Sequence, residues 1–212
     1  MTINYENLNN CKSNIEIFDK SKLLIVTKNQ SVDDIKELIN SGFRLFGENR
    51  VQEAKLKFSS LNNFEEINLH LIGPLQTNKA KEALMLFDTI ESIDRKKLID
   101  EIFKLKNKDL KIRTNNFYIQ INIGSEDQKF GVDKAEVFEL YEYAISKNLN
   151  IEGLMCIPPN TSSPEKYFKE MNLIRDDLDK SLKLSMGMSN DYLLALKFNS
   201  NIVRIGSLIF NG

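Results

Sequence analysis

The sequence predicts an α/β fold: one closed (β/α)8 barrel of the TIM type, opened by an N-terminal helix, in a single domain over residues 1–212. Three observations carry that prediction. Eight short runs rich in aliphatic and β-branched residues alternate with longer helix-patterned segments, the rhythm of repeated βα units. No Gly/Ser-rich linker, low-complexity stretch or break in charge divides the chain. Hydrophobic residues make up 42%, enough at this length for a sizeable core.

The first run, "LLIVTK" (residues 23–28), precedes "SVDDIKELINSG", with Ser31 as N-cap and Gly42 as the stop. "RLFGEN" precedes "VQEAKLKFSSL", "LHLIGPL" precedes "NKAKEALMLF", and "DTIESI" precedes "DRKKLIDEIFKL". "FYIQINI" leads through a loop to "KAEVFELYEYAISKN", and "IEGLMCIPP" to "SPEKYFKEMNLIRDDLDKSL". "LSMGMS" precedes "NDYLLALKF", and "IVRIGSLIF" closes the series. Eight strands, each followed by a helix except the last, suit a closed barrel. Residues 2–18 are expected to supply the missing helix. A doubly wound open sheet is the competing arrangement, but eight parallel strands without an odd edge element favour closure.

Composition excludes several functions. A net charge of −1 gives no concentrated positive face for a phosphate backbone, so nucleic acid is not the expected partner. No run of 18 apolar residues spans a membrane, and "MTINYENLNNCKS" lacks the order of a signal peptide. Cys11 and Cys156 match no metal spacing and read as reduced thiols of a cytoplasmic protein. His70 is the only histidine, which excludes multi-histidine metal sites and leaves a lone base or a structural role at a strand start.

Function in such barrels collects at the C-terminal strand ends. These carry Lys28, then Gly47, Glu48 and Asn49, and finally "SMGMS" and "RIGS". The last two loops bring Ser185, Gly187, Ser189, Gly206 and Ser207 where this fold usually cradles a phosphate. Arg204 has two readings: a barrel-interior cation paired with a carboxylate such as Glu48, or a donor aimed at a ligand. Lys28 also has two: a lysine snorkelling to solvent, or a Schiff-base amine whose pKa a dry strand end would lower. A phosphorylated aldehyde suits both ends of such a site, and pyridoxal 5′-phosphate (PLP) has that shape.

With those residues in view, the chain resembles the pyridoxal-phosphate homeostasis protein family, relatives of the N-terminal barrel of alanine racemase. "IVTK", "FGENRVQE", "HLIGPLQTNK", "NIGSEDQKFGV", "GLMCIPP", "LSMGMSND" and "VRIGSLIFN" follow its pattern in order. The resemblance implies that Lys28 carries PLP as an internal aldimine and that Arg204 faces the pyridine nitrogen. It implies that Asn49 lies near the ring. Ser185, Met186 and Ser189, with Gly206 and Ser207, are implied to hold the phosphate. "TKNQ" departs from the usual Ser-Lys-Thr-Lys-Pro, Ser207 stands where threonine is common, and Cys156 replaces a small residue.

The same resemblance bears on catalysis. A racemase needs an acid on each face of a planar intermediate, and alanine racemase takes the second from a C-terminal β domain that this barrel is expected to lack. An arginine opposite the ring nitrogen keeps that nitrogen unprotonated and weakens the electron sink. The expectation is therefore a non-catalytic, monomeric, cytoplasmic PLP carrier in vitamin B6 and amino-acid homeostasis, with PLP-dependent apoenzymes as acceptors. The alternatives are a narrow-scope, racemase-like PLP enzyme using Tyr192 or Cys156 as second acid, and an aldolase-like barrel without cofactor. Lys129 is either a solvated loop lysine or a transient acceptor of the aldehyde.

Overall fold

The computed structural model describes residues 3–61, 64–126, 130–160 and 163–210. Eight parallel strands close in sequence order: β1 (Lys22–Val26), β2 (Leu45–Glu48), β3 (Asn68–Leu71), β4 (Thr89–Ile93), β5 (Asn116–Ile121), β6 (Ile151–Cys156), β7 (Lys183–Ser185) and β8 (Ile202–Ile205). Pairing of Leu24 with Arg204 and of Ile25 with Phe46 makes β1 the closing strand between β8 and β2. The open sheet is thereby excluded.

Helices cover the barrel: α1 (Tyr5–Glu16), α2 (Val32–Asn40), α3 (Val51–Phe58), α4 (Ala80–Leu86), α5 (Lys96–Lys106), α6 (Val137–Ser146), α7 (Glu165–Leu178), α8 (Tyr192–Lys197) and α9 (Ser207–Phe210). Helix α2 starts as its sequence predicts. Ser31 Oγ accepts from the Asp34 amide while the Asp34 carboxylate accepts from the Ser31 amide, a full capping box. Gly42, at φ +91, then takes the left-handed turn that stops the helix.

The last strand differs from expectation. It is followed by a helix after all, the single turn α9, and α1 packs over it. The Asn4 amide donates to the Ile209 carbonyl (2.8 Å) and Asn7 Nδ2 to the Leu208 carbonyl (2.9 Å). Leu8, Cys11 and Ile15 turn one apolar face of α1 inward, so the N-terminal helix covers a flank that four helical residues leave short.

Strand alternation sorts side chains into two cores. Outward residues join the helices in a large layer that includes Phe46, Phe58, Leu69, Phe117 and Leu154. Inside the barrel lie Leu24, Val26, Ile72, Tyr118, Met155 and Ile202. Each such side chain, fully buried, contributes roughly 1.5–3 kcal/mol. Gly47 makes room for them: a Cβ on it would meet Leu24 Cδ2 at 2.3 Å, and the leucine would have to shift. Gly47 therefore faces inward and its neighbour Glu48 faces out.

Candidate functional site

A cavity of about 1200 Å³ opens at the C-terminal ends of the strands. Lys28, Asn49, Ser189, Arg204, Gly206 and Ser207 all line it. The strand-end rule thus brought together six residues that are far apart in sequence. Ile157, Phe130, Met188 and Leu193 give part of its wall an apolar surface.

Lys28 lies just past the end of β1 and is exposed, so the dry strand end predicted from sequence is not found. None of the described residues hydrogen-bonds or ion-pairs with its Nζ. Its flanks, in contrast, are fixed. Lys57 Nζ, buried under the loop, donates to the Thr27 carbonyl (2.7 Å), Glu48 Oε1 (3.0 Å) and Glu53 Oε1 (2.5 Å). Thr27 Oγ1 donates to Glu48 Oε1 (2.7 Å), and the Asn29 amide donates to Glu53 Oε1 (2.6 Å). Burial pushes the Glu48 carboxyl up, against the opposing pull of Thr27 and Lys57.

Arg204 does not pair with Glu48. The residues face opposite sides of the sheet wall, because Glu48 points outward while Arg204 stands inside the barrel. Arg204 Nη1 donates to Ser185 Oγ (2.8 Å) and Nη2 to the Cys156 carbonyl (2.8 Å). Ser185 Oγ donates to Glu91 Oε2 (2.6 Å), and His70 Nδ1 lies 2.6 Å from Glu91 Oε1. Burial alone would raise the Glu91 carboxyl. The His70 hydrogen bond and charge, the Arg204 charge and the Ser185 hydroxyl overcome it and hold Glu91 below the usual carboxylate range. A carboxylate there requires the proton on His70 Nδ1, so the histidine's structural reading holds: it donates within a buried relay and does not line the cavity.

That relay corrects the reading of the "SMGMS" loop. Ser185 is fully buried, and its hydroxyl links Glu91 to Arg204 below the cavity. Met186 is also fully buried, in the outer core, with its amide donating to the Ile202 carbonyl. Neither lines the cavity. Gly187, at φ +94, turns the chain between them and the mouth, and a Cβ there would meet Ala195 Cβ at 2.5 Å. Beyond that turn, Ser189 and Ser207 approach each other, Oγ to Oγ 3.0 Å, which joins the loops after β7 and β8 beside Gly206.

Asn49 is held at the wall by close backbone contact. A Cβ on Gly73 would sit 2.2 Å from the Asn49 carbonyl oxygen, so only glycine lets the end of β3 approach it. Of the two proposed second acids, Tyr192 lines the cavity and Cys156 does not. The Cys156 thiol lies in the outer core, and burial pushes it up to about 12. Tyr192 is buried and its hydroxyl accepts from Asn14 of α1 (3.0 Å); burial raises its pKa. Lys129 lies outside the described residues. Among the described residues no cluster of His, Cys, Asp and Glu could hold a metal, and no helix is long and apolar enough to cross a membrane.

Comparison with known proteins agrees with this geometry. The family model described as "Alanine racemase, N-terminal domain" matches residues 4–212. A pyridoxal phosphate homeostasis protein of Aquifex aeolicus is 39% identical over 199 residues, covering 90% of this chain and 86% of its own. The chain belongs to the pyridoxal phosphate homeostasis protein family. A member from Pasteurella multocida is 36% identical over 201 residues, 89% of this chain and 85% of its own. Among solved structures, PipY of Synechococcus elongatus superposes with a TM-score of 0.88 without PLP and 0.83 with PLP bound. Identity there is 29%, over 97% of this chain and 98% of that one. Alanine racemase of Bartonella henselae shares the fold, with a TM-score of 0.73 at 17% identity, covering 95% of this chain and 57% of its own.

Proposed function

We propose that this protein binds PLP as a Schiff base on Lys28 and serves as a cytoplasmic carrier that holds and releases the aldehyde without turning over a substrate. The observation that carries the reading is the convergence of Lys28, Arg204 and the joined Ser189–Ser207 loops on one cavity. The donor set fits the ligand part by part. An unengaged amine suits an aldehyde, a permanently charged guanidinium suits a pyridine nitrogen, and paired hydroxyls beside Gly206 suit a phosphate. Asn49, which lines the same cavity, is the proposed contact to the ring. PipY, solved with PLP bound, supports the ligand assignment through its likeness to this chain.

The chemistry PLP supplies when bound is a reversible carbon–nitrogen double bond to an amine. The chain's residues then decide whether that chemistry goes further. Arg204, fixed by Ser185 and the Cys156 carbonyl, gives no proton to the ring nitrogen, which disfavours carbanion formation. A narrow-scope racemase-like enzyme would need a second acid; Tyr192 lines the cavity, but the hydrogen bond that Asn14 donates to its hydroxyl and the burial of Cys156 in the outer core weigh for the carrier. PLP-dependent apoenzymes are the proposed acceptors, approached by the protein as a monomer.

The deciding experiment compares absorption spectra of wild type and Lys28→Ala with added PLP, before and after borohydride reduction. A visible imine band in wild type, absent from the variant and fixed on Lys28 by reduction, is expected. No racemisation or decarboxylation should occur across an amino-acid panel. A colourless wild type sinks the ligand reading, and turnover at ordinary enzyme rates sinks the carrier reading.

A further inference from the structure

Lys57 and Glu53 stand four residues apart on α3, the spacing of an ordinary solvated helix pair. Their surroundings are different. Lys57 is buried, and all three protons of its ammonium are used: on the Thr27 carbonyl, on Glu48 and on Glu53. A surface pair would support the helix equally well without the desolvation that burial costs. What burial adds is contact with the loop that carries Lys28.

We infer that Lys57 is the positioning residue for Lys28, holding the backbone on both sides of it from a single buried ammonium. One arm reaches the Thr27 carbonyl directly. The other runs through Glu53 Oε1, which accepts from the Asn29 amide. A third contact reaches Thr27 again, through Glu48 Oε1 and the threonine hydroxyl. Asn29 sits at φ +62, a left-handed conformation that asparagine tolerates better than most residues, and its amide is turned onto Glu53 Oε1. Three ionisable side chains, Lys57, Glu48 and Glu53, therefore fix residues 27 and 29 and leave the Lys28 side chain itself free to reach the cavity.

The inference rests on Lys28 being the amine that takes up the aldehyde. In that step the Nζ lone pair attacks the aldehyde carbon and a C–N bond forms. Both amine protons and the carbonyl oxygen then leave as one water. The attack needs the amine within reach and aligned, so loosening its backbone slows bond formation more than it weakens binding of ring and phosphate.

The test separates those two quantities. Condensation with PLP is followed by rapid-mixing absorbance, and binding without condensation by titration with pyridoxine 5′-phosphate, which has an alcohol in place of the aldehyde. Lys57→Met should slow condensation by about tenfold and leave pyridoxine 5′-phosphate affinity within about twofold of wild type. Hydrogen exchange at the Asn29 amide of the unliganded variant should accelerate. Glu53→Ala, which cuts the Asn29 arm and one of the three ammonium contacts but leaves those to Thr27 and Glu48, should slow condensation by less, and it carries the test if Lys57→Met does not fold.

Unchanged condensation in both variants overturns the inference. So does a parallel fall in condensation and pyridoxine 5′-phosphate affinity, which marks Lys57 as a general staple of the fold. A wild type that forms no imine at Lys28 sinks the Lys28 reading and this inference with it. A normal wild type beside unaltered variants sinks this inference alone.

Discussion

Glu48 and Glu91 are both fully enclosed, one outside the barrel wall beneath the Lys28 loop, the other inside it beneath Arg204. Burial raises one carboxyl, and its partners hold the other down. The difference lies in how many oxygens are served. Glu91 has His70 on one oxygen and Ser185 on the other, with the Arg204 charge close by. Glu48 receives Thr27 and Lys57 on the same oxygen, and its Oε2 has no hydrogen-bond partner among the described residues. Lys57 is moreover shared with Glu53, whose carboxyl falls below its usual range despite its own burial penalty. A buried charge is stabilised by complete coordination, and depth alone does not decide its state.

The sharpest way to break the comparison is to remove Glu91. Glu91→Leu leaves Arg204 and His70 inside the barrel without their carboxylate. Uncompensated charge of that kind costs about 3–5 kcal/mol. For a chain of this size the melting temperature should fall by roughly 6–20 °C. A fall below a few degrees in a thermal melt would mean that the inner relay is not a stabilising unit.

Ser185→Ala tests the link inside that relay. The hydroxyl donates to Glu91 and accepts from Arg204, so the alanine leaves one buried group unserved on each side. The expected cost is about 1–3 kcal/mol. Urea unfolding at neutral pH measures it, and PLP titration should show weaker binding if the serine orients Arg204. An unchanged midpoint would place a water in the position of the hydroxyl.

Some of this was legible in the sequence. Eight apolar runs and their helical spacers give the barrel, and reading only strand ends gathers Lys28, Asn49, Ser189, Arg204, Gly206 and Ser207. Partnerships inside the wall were not. One of the two readings of Arg204 paired it with a carboxylate such as Glu48, yet the two-residue alternation that points Gly47 at Leu24 turns Glu48 away. The same alternation read along "TIESI" could have found Glu91, since a lone carboxylate in a strand buried on both faces must have partners there. Ser185 was misplaced by one turn of chain, because the reversal at Gly187 separates the strand interior from the loop. Lys57 carried no signal at all: its spacing from Glu53 is that of any exposed pair, and only the close approach of α3 to β1 buries it.

The smallest effect belongs to Glu48, and it sharpens the contrast through pH. A raised carboxyl holds its proton more tightly folded than unfolded. Its favourable contribution is therefore complete below the unfolded carboxylate value, about 4.3, and is lost as pH rises from there through the folded value. Glu91 behaves in the opposite sense: its contribution is present above that unfolded value and is lost as pH falls through its depressed folded one. Glu48→Gln should accordingly change stability at pH 7 by less than about 1 kcal/mol, because the charge it removes is poorly coordinated. Urea midpoints from pH 3 to 8 should show wild type gaining on Glu48→Gln as pH falls toward 4. Against Glu91→Gln, wild type should hold its margin to that point and lose it below. Parallel curves for the two variants would mean that the unserved oxygen of Glu48 is coordinated in solution and that the two glutamates are electrostatically alike.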